Sequence, residues 1–97
     1  SIASRVANSR TATVAVTSFT FKEPVWVGDV VSFYATVLKV GTSSITVDVT
    51  VFAERLHKDN HRIVKVTEAQ LVFVALNKDG RPQPVYRADN PAPEKTE

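Results

Sequence analysis

The chain has 97 residues, 43% of them hydrophobic, and carries a formal net charge of +2 from twelve basic and ten acidic residues. That is enough for one small domain with a packed core, and it excludes a chain disordered throughout. No apolar run approaches the ~20 residues of a membrane helix, no signal-peptide pattern is present, and cysteine is absent. Disulfide frameworks, thiol nucleophiles and thiolate metal sites are therefore excluded, and a cytoplasmic protein without a membrane partner is expected. Lys and Arg nowhere form a run of three, which argues against a nucleic-acid partner.

Residues Ser1 to Asn8 (SIASRVAN) place Ile2, Val6 and small alanines at helical spacing, with Asn8 and Ser9 as stop residues. Eight residues make a marginal helix in water. The expectation is that they are the last two turns of a longer one, with a strand and most of that helix ahead of Ser1. From Thr11 the period becomes two. Thr11, Thr13, Ala15, Thr17 and Phe19 alternate with Ala12, Val14, Val16, Ser18 and Thr20, which predicts a half-buried strand. Pro24, without an N–H, ends it.

Val27-Gly28-Asp29 is a tight connection, and Val30 to Val40 a second strand. Gly41-Thr42-Ser43 reads as a hairpin loop. A third strand, Ser44 to Glu54, sets Ile45, Val47, Val49, Val51 and Ala53 on one face. Leu56 to Asn60 reads as a polar turn. A fourth strand runs from about His61 to Leu76 and stops at Asn77-Lys78-Asp79-Gly80. The proline-rich remainder predicts a domain over residues 1–86 and a flexible tail over 87–97. Strands this long exceed the usual ~5–6 residues. One bent sheet around a helix accommodates them, and its apolar face needs a cover.

Phe21-Lys22-Glu23-Pro24-Val25 followed by Val27-Gly28-Asp29 resembles the F-x-x-P-V-x-x-G-D stretch of hotdog-fold acyl-CoA thioesterases. The bacterial cytosolic enzymes and the tandem-domain brain enzyme of animals share that stretch. Arg10 and Thr13 ahead of it, the Gly41-Thr42-Ser43-Ser44 hairpin, Thr67-Glu68-Ala69, Phe73-Val74-Ala75, the Asp79-Gly80-Arg81-Pro82 turn and Pro84 follow in the family's order. The resemblance implies an α+β hotdog fold, a curved antiparallel sheet around a central helix. It implies hydrolysis of short or medium acyl-CoA to acid and CoA, without metal or prosthetic group, at a site where two copies meet. A homodimer or higher homo-oligomer, such as a trimer of dimers, is implied too. The family's catalytic Asp stands on the helix after an Asn-containing loop and a Phe-Gly-Gly turn. None of these is found here, so the catalytic acid is expected ahead of Ser1.

The remaining candidates contact substrate. Lys39, Thr42, Ser43 and Ser44 flank a hairpin where the family meets CoA, and a lysine with hydroxyls suits phosphate oxygens; an ordinary solvated hairpin reads equally well. Arg10 can reach a CoA phosphate, a partner subunit, or simply the end of the helix. Thr20 and Phe21 can line an acyl or pantetheine channel. Glu68, amid apolar residues, needs a partner or a solvated face. His57 and His61 lack a third ligand, and Asp29, Asp48 and Asp59 form no pair for acid–base work. The rival functions are a non-catalytic hotdog module that binds acyl-CoA or drives oligomerisation, and an unrelated β-rich binding domain.

Overall fold

The computed structural model describes residues 1–94. Ser1 caps the first helix, its hydroxyl accepting the Ser4 N–H at 3.3 Å, and α1 covers Ile2–Ala7. Asn8 closes it in the left-handed conformation (φ 48°), which asparagine adopts at small cost. Four strands follow: β1 (Thr11–Phe21), β2 (Val30–Val40), β3 (Ser44–His57) and β4 (Asn60–Ala75). They form one antiparallel sheet in the order β1-β4-β3-β2. Among the described residues no helix is long and apolar enough to cross a membrane.

The expected turn over Leu56 to Asn60 is shorter than its polarity implied. β3 and β4 stay paired up to His57↔Asn60, leaving Lys58 and Asp59 as the connection, with Lys58 at φ 55°. The even alternation expected along β1 is also interrupted. Thr13 pairs with Phe73 but Ala15 with Val72, and Val16 with Leu71 but Ser18 with Gln70, so Val14 and Thr17 are extra residues. Leu38 in β2 and Val66 in β4 are extra in the same sense. Each bulge bends its strand and increases twist, which curls the sheet. Each also resets the side-chain parity. Thr11, Thr13, Val16, Phe19 and Phe21 therefore share one face of β1, where unbroken alternation would divide them.

That face is the one α1 covers, at one end only. Ala3 and Ala7 lie fully buried against Ile45, Val47, Ala75 and Val85, with Ile2, Val6, Val37, Val40 and Phe73 packed around them. Alanines let the helix approach closely. At the other end Ala53, Val64 and Val66 form a second, smaller cluster. Between the two, on the same face by register, Phe19, Phe21 and Phe33 are 65%, 61% and 71% exposed.

Two polar constructions fix the connections. The first holds the 22–29 loop to β3. The side chains of Asp29 and Arg55 are 2% and 8% exposed, and the Arg55 Nε donates to the Asp29 carboxylate at 3.0 Å. Arg55 also donates to the Pro24 carbonyl at 2.7 Å and lies 4.0 Å above the Trp26 ring, while the Trp26 N–H donates to Asp29 Oδ2 at 2.8 Å. Gly28 (φ 93°) provides the left-handed step that turns the chain back to Asp29.

The second involves the start of the expected tail. Arg87 donates to the carbonyls of Ala7 (3.0 Å), Asn8 (3.2 Å), Pro84 (3.1 Å) and Val85 (2.9 Å), and its Nε meets Asp89 at 2.7 Å. Asn90 donates to Val6 at 3.0 Å and to Val85 at 2.6 Å. A cation and an amide thus satisfy carbonyls that the end of α1 leaves open. Residues 87–90 are in this way tied to the helix, and residues 95–97 of the expected tail lie outside the described residues.

Asp29→Ala leaves the Arg55 charge buried without its carboxylate, and is expected to cost about 3–5 kcal/mol in chemical denaturation. A loss under about 1 kcal/mol, typical of a solvent-screened pair, would contradict the buried lock. Arg87→Ala is expected to cost about 2 kcal/mol, with Arg87→Lys recovering only a part, since an ammonium lacks the planar fork that spans several carbonyls. Full recovery by lysine in a thermal melt would show that charge alone matters.

Candidate substrate site

The expected substrate residues fall at two ends of the sheet. Arg10, Lys39, Thr42, Ser43 and Ser44 stand at the end where α1 stops. Arg10 precedes β1 and its carbonyl accepts the Leu76 N–H at 2.9 Å. The Ser43 carbonyl accepts Ala75 N–H at 2.9 Å, and the Thr42 carbonyl accepts Val85 N–H at 2.8 Å. The hairpin is closed by Gly41 N–H donating to the Ser44 carbonyl at 2.8 Å. A Cβ on Gly41 would stand 2.6 Å from Ser44 Oγ, which would have to rotate away. Lys39 lies beside Thr46 on the face opposite α1 and is exposed. Arg10 and Lys39 belong to opposite edges of the sheet, about 14 Å apart by strand spacing.

Beside Arg10 a cleft of about 530 Å³ opens between the end of α1 and the Asn77–Gly80 turn. Lys78 and Arg87 join Arg10 there, facing Asp79 and Asp89. Asn77 shapes the turn, its side-chain oxygen accepting the N–H groups of Asp79 (2.9 Å) and Arg81 (3.0 Å). Among the described residues neither Arg10 nor Lys78 forms an ion pair, whereas Arg87 is engaged by Asp89. Two unengaged cations and the hairpin hydroxyls give this end the means to hold an anionic group. Lys78 escaped notice in the sequence because it lies in a strong turn signal and meets Arg10 only through the pairing of β1 with β4.

Thr20 and Phe21 stand at the far end, opposite Glu68 and Thr67. Ten residues of strand, roughly 30 Å, separate them from Arg10. Phe21 shares the open apolar face with Phe19 and, across the sheet, Phe33, while Thr20 lies on the other face with Glu68. The Glu68 carboxylate contacts Lys65 Nζ at 2.5 Å and Lys22 Nζ at 3.8 Å, with the side chain 38% exposed. The Lys65 hydrogen bond holds its pKa below the ordinary 4.5 against the opposing effect of desolvation, and the charges of Lys65 and Lys22 add to the lowering. It is a solvated surface acid and stays ionised near neutral pH. Asp29, unpaired in the sequence reading, is instead locked to Arg55; a contact across 26 positions leaves no local signal. Among the described residues no cluster of three metal-ligating side chains occurs.

Known proteins match both the sequence and this geometry. The model of the Thioesterase superfamily matches residues 1–59. The acyl-CoA thioester hydrolase YciA of Salmonella typhimurium is 39% identical over 85 residues, covering 87% of this chain and 64% of that protein. A hexameric broad specificity acyl-coenzyme A thioesterase superposes with a TM-score of 0.81 at 39% identity, over 92% of this chain and 61% of the other. A hexameric hotdog fold thioesterase of Campylobacter jejuni gives 0.79 at 34% identity, over 86% and 63%. The chain thus spans a little under two thirds of the length of these proteins. The curved sheet with α1 against one face is the hotdog architecture expected from the motif, and the chain belongs to the thioesterase superfamily.

Proposed function

We propose that the full-length protein is a cytoplasmic acyl-CoA thioesterase. It adds water to the thioester carbonyl, breaks the C–S bond and releases the free acid and CoA, the sulfur taking up the proton. One observation carries this: the residues described here superpose at a TM-score of 0.81 and 39% identity on a broad specificity acyl-CoA thioesterase. In this reading the chain supplies the sheet and the substrate-holding groups.

The two separated groups of candidates support a site shared between copies. Among the described residues β1 is an edge strand whose outer side is unpaired. Antiparallel pairing of β1 with the same strand of a second copy, centred near Val16, would set the Arg10 end of one copy beside the Thr20–Phe21 end of the other. Cations for the CoA phosphates and an apolar wall for the acyl or pantetheine chain then stand at one seam. Within one copy they are about 30 Å apart. The rival reading, a non-catalytic acyl-CoA-binding module, is favoured by a different observation: the carboxylates of Asp29, Glu54, Glu68 and Asp89 are each engaged by a basic side chain.

A thiol-release assay on the full chain across short to long acyl-CoAs is expected to show turnover. Binding of acyl-CoA without turnover at any chain length would leave the module reading. Lys39→Ala is expected to raise KM for acyl-CoA about fivefold with kcat nearly unchanged, the signature of a contact made equally to substrate and transition state. For an acyl-pantetheine thioester, which lacks the nucleotide phosphates, the same substitution should have no effect.

A further inference from the structure

We infer that the β3–β4 hairpin and the 22–29 loop together form a binding site for a small monocarboxylate, gathered around Arg55, Arg62 and Trp26. None of the candidate substrate residues belongs to it. A cleft of about 120 Å³ opens there, lined by Trp26, Arg55, Asn60 and Arg62. Arg55 and Arg62 are direct cross-strand partners and so share one face of the sheet. Like charges set opposite each other repel. Asp29 offsets one of them through Arg55, but among the described residues Arg62 forms no ion pair. Arg55 itself has a donor to spare. Its Nε is held by Asp29 and its Nη2 by the Pro24 carbonyl, whereas Nη1 has no protein partner among the described residues. No buried side-chain nitrogen or oxygen among those residues lacks a partner, so Nη1 is reached by solvent.

The chemistry of the cleft selects the ligand. Two guanidiniums against the Asp29 carboxylate leave one positive charge, which a single carboxylate neutralises and a phosphate dianion overshoots. The planar fork of an arginine also matches the two oxygens of a carboxylate. Trp26 supplies the apolar part. Arg55 covers one face of its ring at 4.0 Å, yet the residue remains 54% exposed. An indole beside two cations is a surface for a short hydrocarbon tail whose acid end is hydrogen-bonded. The volume fits a carboxylate with a few carbons and excludes a nucleotide. The acid that a thioesterase releases belongs to this class, but the site does not depend on turnover.

Trp26 is the one tryptophan among the 97 residues, so its emission reports on the site. The full chain is titrated with butanoate, butanamide and inorganic phosphate, and Trp26→Phe serves as the blank. Butanoate is expected to give a saturable change that the blank lacks, while butanamide and phosphate give none at the same concentrations. Arg62→Gln removes the charge and is expected to weaken butanoate about tenfold. Its circular dichroism should be unchanged, because Arg62 is exposed. Lys58→Gln, which removes an exposed cation of the same hairpin outside the cleft, is expected to keep the wild-type curve. Four results would each overturn the site: no saturable change in the wild type, an equal response to butanamide or phosphate, wild-type binding by Arg62→Gln, or equal weakening by Lys58→Gln. Thioester hydrolysis measured on the same samples separates this claim from the enzymatic one. Butanoate binding without turnover rejects the enzyme and leaves the site standing, and turnover without butanoate binding does the reverse.

Discussion

The structure depends on one constraint: a sheet apolar along one face needs a cover, and α1 covers it through two small residues. Ala3 and Ala7 are fully buried, and their size lets the helix backbone approach Ile45, Val47 and Ala75. A larger residue at either position would lift the helix from the sheet and strain the packing around it. Propensity alone cannot hold a six-residue helix. Its stability comes from this contact and from the groups that saturate its ends, Ser1 at the start and Arg87 with Asn90 at the finish.

The same groups link the helix to the hairpin of the candidate site. Val85 is buried under α1, its N–H bonds the Thr42 carbonyl, and its own carbonyl receives both Arg87 and Asn90. Helix end, β2–β3 hairpin and the 84–90 segment are therefore one hydrogen-bonded unit. At the opposite end the Asp29–Arg55 pair performs the equivalent task for the loop carrying the family motif. The motif's glycine and aspartate thus have a structural use, one allowing the turn and the other anchoring it.

Much of this was legible in the sequence. Period-two patterning placed all four strands, Asn8 and the Asn77–Gly80 turn marked their stops, and the Phe21–Asp29 motif pointed to the architecture. The bulges were not legible, because the extra residues, Val14 and Thr17, sit within a run of strand-forming side chains and nothing local marks them as unpaired. Only pairing with Phe73, Val72 and Leu71 reveals the shift. Arg55 carries no local sign of its role, since nothing near it in sequence shows a carboxylate 26 positions away. Arg87 and Asn90 stood in a proline-rich stretch with little to bury, yet their value lies in donors rather than apolar area. The division of the candidate residues between two ends of a long sheet is a property of the topology.

The bond from Arg87 to the Ala7 carbonyl spans 80 positions. The helical segment is synthesised 80 positions ahead of its capping partner, and in between the alanine stripe has neither a finished sheet beneath it nor a guanidinium at its end. Long-range closure of this kind delays the rewarding contacts until the ordering cost of the intervening chain has been met. The nascent protein therefore passes through an interval in which its β-rich middle is complete enough to pair with a neighbour but not yet sealed.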